Sequence, residues 1–242
     1  MERLRGGSIQ TKRQMKARGL SEYSVFYKNK AAIYERFSEV EDMPEKILKV
    51  IAPKLRNKIV LDVGCGTGKY TTLLAPHAKT YSGLDISKYQ LSIAKKKTGK
   101  TKNVQLICAD ATEAHFPRNS FDAAISSWAI SPIAGFPRKK RALAQTFRAL
   151  KTGGVFYLVE NDTTGMFEKV RGPHRREETA EYNRWVTKQG FKIFKRIKTY
   201  FEFSSEAEAK KIFNAIWGDE VSDKIHSKRI AHHVVIFYKR KA

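Results

Sequence analysis

The sequence predicts an α/β fold with a doubly wound, mostly parallel sheet. Three observations carry that reading. The stretch Ile59-Val60-Leu61-Asp62-Val63 is a short, largely β-branched run of the kind buried on both faces of a parallel sheet, and a glycine-rich turn and a helix follow it. Downstream of it, short apolar runs alternate with helical patterns. A length of 242 residues suits one such domain with a modest extension.

The elements read as follows. Residues 1–20 are polar and basic and read as a mobile arm that orders on a partner. Residues 20–40 hold Tyr27, Ile33, Tyr34 and Phe37, the last three at helical spacing. Two roles fit this helical cap: a lid on a ligand pocket, or a helix that only covers the sheet. A helix follows Pro44, from Glu45 to Ile51. Strand one is 58–63, the next helix 68–75, and strand two 79–84 ends at Asp85. Ser87 is positioned to cap the following helix. Strand three is 103–108 and strand four 121–127. A helix over 138–150 is expected to stop at Lys151-Thr152-Gly153-Gly154. Strand five is 155–160, and 161–176 reads as a polar loop. A helix over 177–189, a β-rich stretch 191–203, a helix over 205–217 and a strand over 230–238 complete the chain. The division expected is 1–44 as basic arm and lid, and 45–242 as the main domain.

Composition excludes several classes. No run approaches the roughly 18 apolar residues of a membrane span. The first residues lack the apolar centre of a signal peptide, so a cytoplasmic location is expected. Two isolated cysteines, Cys65 and Cys108, form neither a disulfide framework nor a zinc site, and no metal is expected. His232 and His233 are adjacent in a strand and point to opposite faces. The formal charge of +23 suggests a polyanionic partner such as RNA, or a general basic bias with no specific partner. Residues 1–30 hold eight Lys/Arg against two acids, and Arg138-Lys139-Lys140-Arg141 form a compact cluster. Other lysines fall at the opposite edge of the sheet, so position alone leaves both readings open.

The turn itself is informative. Gly64, Gly66 and Gly68 alternate with Cys65 and Thr67. Glycine lets the backbone turn tightly and lets a ligand lie against it. Lys69 occupies the sixth place, where a dinucleotide fingerprint has glycine, and no P-loop spacing is present. The whole pattern V-L-D-V-G-C-G-T-G, with Asp62 two places before the first glycine, resembles motif I of the class I S-adenosylmethionine (SAM)-dependent methyltransferases, of the type 11 kind. The resemblance covers about residues 45–242, and beyond 160 it is topological. It implies a Rossmann-like sheet of seven strands whose last strand is antiparallel.

The resemblance also implies site residues. Asp85, 23 positions after Asp62 (85 − 62), stands where motif II places the acid that accepts the ribose hydroxyls; a helix-capping acid is the other reading. Asp110 stands where motif III places the acceptor for the adenine amine, with Ile86 and Ala111 as apolar walls. Asp62, Gly64, Cys65, Gly66 and Gly68 would hold the methionine end. Ser126, Ser127 and Trp128 would face the methyl group, although Trp128 equally suits a core position. Tyr34 resembles the tyrosine of an N-terminal helix that packs over the pocket. No catalytic residue is singled out: His174, Glu160, Asp162 and Glu177 are base candidates without a distinguishing spacing. The wording after strand four resembles enzymes acting on metabolites, quinones and lipids. A small-molecule or lipid-like acceptor is therefore expected, with RNA methylation through the basic surface, or SAM binding without turnover, as alternatives. Oligomeric state is not readable.

Overall fold

The computed structural model describes residues 32–42 and 45–242. The chain-order elements after a helical segment at 32–39 are α1 (Lys46–Leu55), β1 (Ile59–Val63), α2 (Lys69–Leu74), a 3-10 turn (Ala75–His77), β2 (Thr80–Asp85), α3 (Lys88–Thr98), β3 (Val104–Cys108), β4 (Phe121–Ser127), α4 (Phe136–Ala149), β5 (Leu150–Asn161), α5 (Met166–Val170), α6 (Pro173–Lys188), β6 (Lys192–Glu202), α7 (Glu206–Trp217), α8 (Asp219–Ser222) and β7 (Arg229–Arg240). The seven strands form one sheet in the order β3-β2-β1-β4-β5-β7-β6. Strands β1 to β5 pair in parallel, and β7 is antiparallel to both β5 and β6. This is the Rossmann-like arrangement with an antiparallel last strand.

Alternation along each strand divides the core. Leu61, Ala124, Phe156 and Val235 face α4 and α6, where Ala142, Leu143 and Val186 meet them. Val60, Ile125, Val159 and Ile236 face α1 and α2, packing on Ile47, Ile51 and Leu74. Such two-sided burial is why the strands read as continuous apolar runs. A third cluster gathers Phe37, Phe167, Phe201 and Phe213 where the helical segment 32–39 meets α5, α7 and the end of β6.

The structure corrects three expectations. Lys151–Gly154 does not stop a helix outside the sheet. α4 ends at Ala149 and β5 begins at Leu150, while the register jumps from Phe121↔Leu150 to Ala123↔Val155. The extra residues form a bulge in which Gly153 takes φ +78° and is bonded to Lys241. The loop 161–176 is half helical, since α5 and the start of α6 lie within it. α1 starts at Lys46, and its cap is remote from its own first residue: Asp42 accepts from Lys46 N (3.1 Å) and Ile47 N (2.8 Å), and also from Thr199 Oγ1 (2.6 Å). The arm expected over 1–20 and the first part of the lid expected over 20–40, including Tyr27, lie outside the described residues.

Candidate functional site

The glycine turn joins β1 to α2 at the carboxyl edge of the parallel strands. Gly64, Gly66 and Gly68 take φ of +78°, +55° and +81°. A Cβ on Gly64 would stand 2.1 Å from Ala129 Cβ, and one on Gly68 2.9 Å from Ala94 Cβ. Neither conformation nor space admits a side chain there. The turn is tied to β2, because Gly64 N and Cys65 N both donate to Leu84 O (2.7 and 2.9 Å). The Cys65 thiol is buried against Gly83 in β2, and burial pushes its pKa well up, so it is an inert packing group whose backbone alone borders the turn.

Asp85 ends β2 and does two jobs in the turn. Its Oδ2 accepts from Gly66 N (2.9 Å) and its Oδ1 from Ser87 N (2.8 Å). Ser87 is the cap of α3, accepting from Gln90 N (3.3 Å). Burial raises the Asp85 pKa against the pull of these donors. Asp62, within β1, accepts from Tyr81 Oη (2.9 Å) and Thr71 Oγ1 (3.1 Å), and burial holds its carboxyl up at about 7.

At the β2–β3 side, Ile86 is 45% exposed although it is a large apolar residue. Asp110 follows β3; its Oδ1 accepts from Thr112 N and its Oδ2 from Arg138 Nη2, each at 2.8 Å. Ala111 lies beside it, partly buried. Arg138 and its neighbour are not the free basic cluster that the sequence suggested. Lys139 is buried, donating to Ser131 O (2.5 Å) and Ile133 O. That reach of α4 back to Asp110 has no sequence signal, since the pair is 28 residues apart.

At the end of β4, Ser126 and Ser127 each have a buried hydroxyl oxygen without a hydrogen-bond partner among the described residues. Trp128 takes φ +51°, an unusual left-handed conformation for a bulky side chain. Its Nε1 donates to Asn161 Oδ1 (2.8 Å), and its ring lies against Tyr70 and His232. His232 is 1% exposed and its Nε2 stands 2.9 Å from the same Asn161 oxygen.

The segment 32–42 is strapped across this region. Lys69 Nζ donates to Ser38 O (2.6 Å) and Glu41 O (2.5 Å), and its neighbouring Glu41 carboxylate is 3.9 Å away. Lys97 pairs with Glu35, and Arg36 Nε donates to Glu208 Oε1 (2.7 Å). Tyr34 sits on this segment, partly buried, with its ring 6.1 Å from that of Phe37. Glu41 is buried near Lys69 and Asp42, and burial raises its pKa to about 7 despite the attraction of Lys69.

The four base candidates are spread apart. His174 and Glu177 are exposed and lie in surface pairs with Glu178 and Arg184. Asp162 is bound to Arg196. Glu160 is buried, accepts from Tyr182 Oη (3.0 Å), and is held up at about 7 by desolvation. Lys69, Asn161, Glu41 and His232 were not picked out by the sequence as site residues. The signal available was Lys69 itself, the residue that breaks the dinucleotide fingerprint. Among the described residues no cluster of His, Cys, Asp or Glu could hold a metal ion, and no helix is long and apolar enough to cross a membrane.

Residues 61–158 match a family described as "Methyltransferase domain". A demethylmenaquinone methyltransferase of Symbiobacterium thermophilum is 35% identical over 108 residues, 42% of this chain and 41% of the relative, so the match spans less than half of that protein. An uncharacterized protein of Methanocaldococcus jannaschii is 32% identical over 199 residues, 77% of this chain and 68% of the relative. Among solved structures, a SAM-dependent methyltransferase of Aquifex aeolicus superposes with TM-score 0.57 at 17% identity, covering 86% of this chain and 97% of that one. The N-methyltransferase NodS of Bradyrhizobium japonicum, solved with S-adenosyl-L-homocysteine, gives TM-score 0.55 at 13% identity over 81% of this chain and 85% of that one. At those identities the structural likeness bears on fold alone. With the glycine turn and the strand order, the matches define the class: the chain belongs to the class I SAM-dependent methyltransferases, enzymes whose cofactor is SAM.

Proposed function

We propose that this chain transfers the methyl group of SAM to a small, lipid-like acceptor. The observation that carries the acceptor class is the aromatic packing beyond β4 and β5, where Trp128, Phe167 and Phe201 meet His232 and Phe37 of the strap stacks on Phe201. An aromatic face of this kind, uncovered when the strap lifts, suits a flat apolar ring system better than a hydrated polar metabolite. The demethylmenaquinone methyltransferase relatives support the same class. The residues present suit SAM. The glycine turn offers backbone where a Cβ would collide, Ile86 leaves an apolar face exposed for a base, and the two orphan serine hydroxyls await a polar partner. On this reading Asp85 takes the ribose diol, Asp110 with Ile86 and Ala111 takes adenine, and Asp62, Gly64, Cys65, Gly66 and Gly68 hold the methionine end. Ser126, Ser127 and Trp128 border the methyl group, and Tyr34 belongs to the cover. When bound, SAM supplies a methyl group already attached to a leaving group. The protein's contribution is then alignment and exclusion of water. The strap at 32–42 provides the cover within a division of 1–44 as arm and lid and 45–242 as transferase.

Tritium-labelled SAM incubated with cell extract, then fractionated into lipid, small molecules, nucleic acid and protein, tests this directly. Label in the lipid fraction is expected; label confined to nucleic acid would overturn it.

One observation favours RNA as a second reading. α1 and β6 lie side by side, with Lys46 Nζ donating to Lys198 O (2.7 Å) and Lys54 over the Phe194 ring (5.4 Å). Lys46, Lys49, Lys54, Lys192, Lys195 and Lys198 are all exposed, and neither α1 nor residues 192–201 contain an acid. A strip of this kind suits a phosphodiester backbone.

A further inference from the structure

We propose that His232 is the base of the methyl transfer, receiving the acceptor's hydroxyl proton on Nδ1, with Glu41 Oε1 occupying the acceptor oxygen's place while the strap is closed. The proposal rests on the methyl-transfer reading above. It narrows the acceptor to one with an acidic hydroxyl, a phenol or quinol.

The tautomer follows from hydrogen bonding. An indole N–H can only donate, so the Asn161 atom that receives Trp128 Nε1 at 2.8 Å is the amide oxygen. The same oxygen lies 2.9 Å from His232 Nε2, which must therefore carry a hydrogen to bond it. The lone pair of the neutral ring is then on Nδ1. That atom is buried and has no hydrogen-bond partner among the described residues. Glu41 Oε1 stands 3.5 Å from it, beyond a good hydrogen bond. A buried, unpartnered nitrogen on a ring whose other nitrogen is bonded calls for an explanation.

The ring is held in place. Phe201 stacks on it at 4.5 Å and 15°, Phe167 meets it edge-on at 4.9 Å, and Trp128 lies at 5.7 Å. Rotation would break the Asn161 bond. Trp128 is the residue that follows β4, and next to it Ala129 touches Gly64 of the cofactor turn. Through Trp128 the ring is thus packed against the end of β4, the strand end that borders the cofactor turn. The charged and titratable groups around the ring are Glu41 on the strap, Lys69 at the start of α2, Arg171 after α5, and His233 next in β7. Burial first, then the charges of Arg171, Lys69 and His233, hold the imidazole neutral, so that Nδ1 carries a lone pair and no proton. Glu41, held up at about 7 by burial, can give way as a neutral carboxyl.

In the step, the acceptor O–H bond breaks and its proton passes to Nδ1. The freed electron pair, on oxygen or delocalised to a ring carbon, forms the new bond to the methyl carbon. The carbon–sulfur bond breaks and its pair remains on sulfur. The imidazolium returns its proton to water when the strap opens.

The test uses the full chain with SAM and naphthalene-1,4-diol under anaerobic conditions. His232→Gln keeps an N–H to reach Asn161 and removes the lone pair. Near neutral pH its kcat is expected to fall about 100-fold. SAM affinity by calorimetry should be unchanged, and activity should recover toward alkaline pH as the diol ionises on its own. A loss equal at every pH, or a parallel loss of SAM affinity, would show a packing role and overturn the proposal. A second readout needs no turnover. In protein labelled with ¹⁵N-histidine and loaded with S-adenosylhomocysteine, the diol should shift the His232 Nδ1 resonance and leave Nε2 protonated. A silent or protonated Nδ1 sinks the proposal. A shifted Nδ1 without methylation upholds the base and rejects instead the methyl-transfer reading for that acceptor.

Discussion

At the scale of single residues, buried carboxyls set the terms. Asp85 accepts from two backbone amides, and each of its oxygens keeps a lone pair for a hydroxyl of a bound diol. Hydrogen bonds to a charged group are worth about 1.5–3 kcal/mol each. Asp85→Ala is expected to weaken SAM binding by at least about tenfold, measured by calorimetry. An unchanged affinity would remove Asp85 from the ribose site. Asp62, Glu41 and Glu160 are all held at about 7 by burial. A carboxyl raised in the folded state keeps its proton after the unfolded chain has lost it. Stability from such groups is therefore full in acid and declines as pH rises from about 4 to 7. Asp62→Asn lacks that titration. Its stability relative to wild type should improve across the same window, as read by chemical denaturation at successive pH values. A difference that stays constant with pH would place the titration elsewhere.

At the scale of elements, the glycine turn is fixed by what packs on it. Gly68 needs both its left-handed backbone and the space held by Ala94 of α3. Gly68→Ala adds about 1–2 kcal/mol of backbone strain and about 1–3 of crowding. A fall in Tm of about 5–15 °C is expected by calorimetric scanning. The strap is a second element with a definable hold. Lys69→Met removes donors from Ser38 O and Glu41 O while keeping the side chain's bulk, so hydrogen exchange over 36–42 should quicken; unchanged protection would mean that Phe37 and the remaining ties, such as Arg36 to Glu208, hold the strap without it. These elements differ in how far the sequence revealed them. The strands, the turn and Asp85 were legible because each depends on local pattern: period, glycine placement, an acid at a strand end. β5 was mistaken at its start because Gly153 serves a bulge bonded to Lys241, a partner from the far end of the chain. Arg138 on Asp110, Lys69 on the strap and Asn161 between Trp128 and His232 were illegible for the same reason. Each joins residues at least 28 positions apart, and no periodicity records such a contact.

At the scale of the whole molecule, charge is the dominant property. Part of the +23 net charge gathers where acids are absent, on α1 and residues 192–201, whereas in the cluster at 138–141 Arg138 and Lys139 are engaged internally. If that strip contacts RNA, binding should fall steeply with salt as counterions are recaptured. Lys54→Glu with Lys195→Glu should then reduce both affinity and salt slope in a filter-binding titration and leave SAM affinity intact. Weak association that ignores the double substitution would assign the charge to solubility.

The same strip has a consequence for association between copies of the protein. β6 is one of the two edge strands, so one of its edges offers backbone N–H and C=O groups to any passing strand. Lys192, Lys195 and Lys198 stand exposed along it, beside the half-exposed Ile193. Two such edges cannot approach without bringing rows of like charge together. The lysines therefore act as a guard against sheet-to-sheet growth, whatever they bind. Neutralising them with alanine would unblock a self-adhesive border next to an apolar side chain, whereas reversal to glutamate preserves the repulsion.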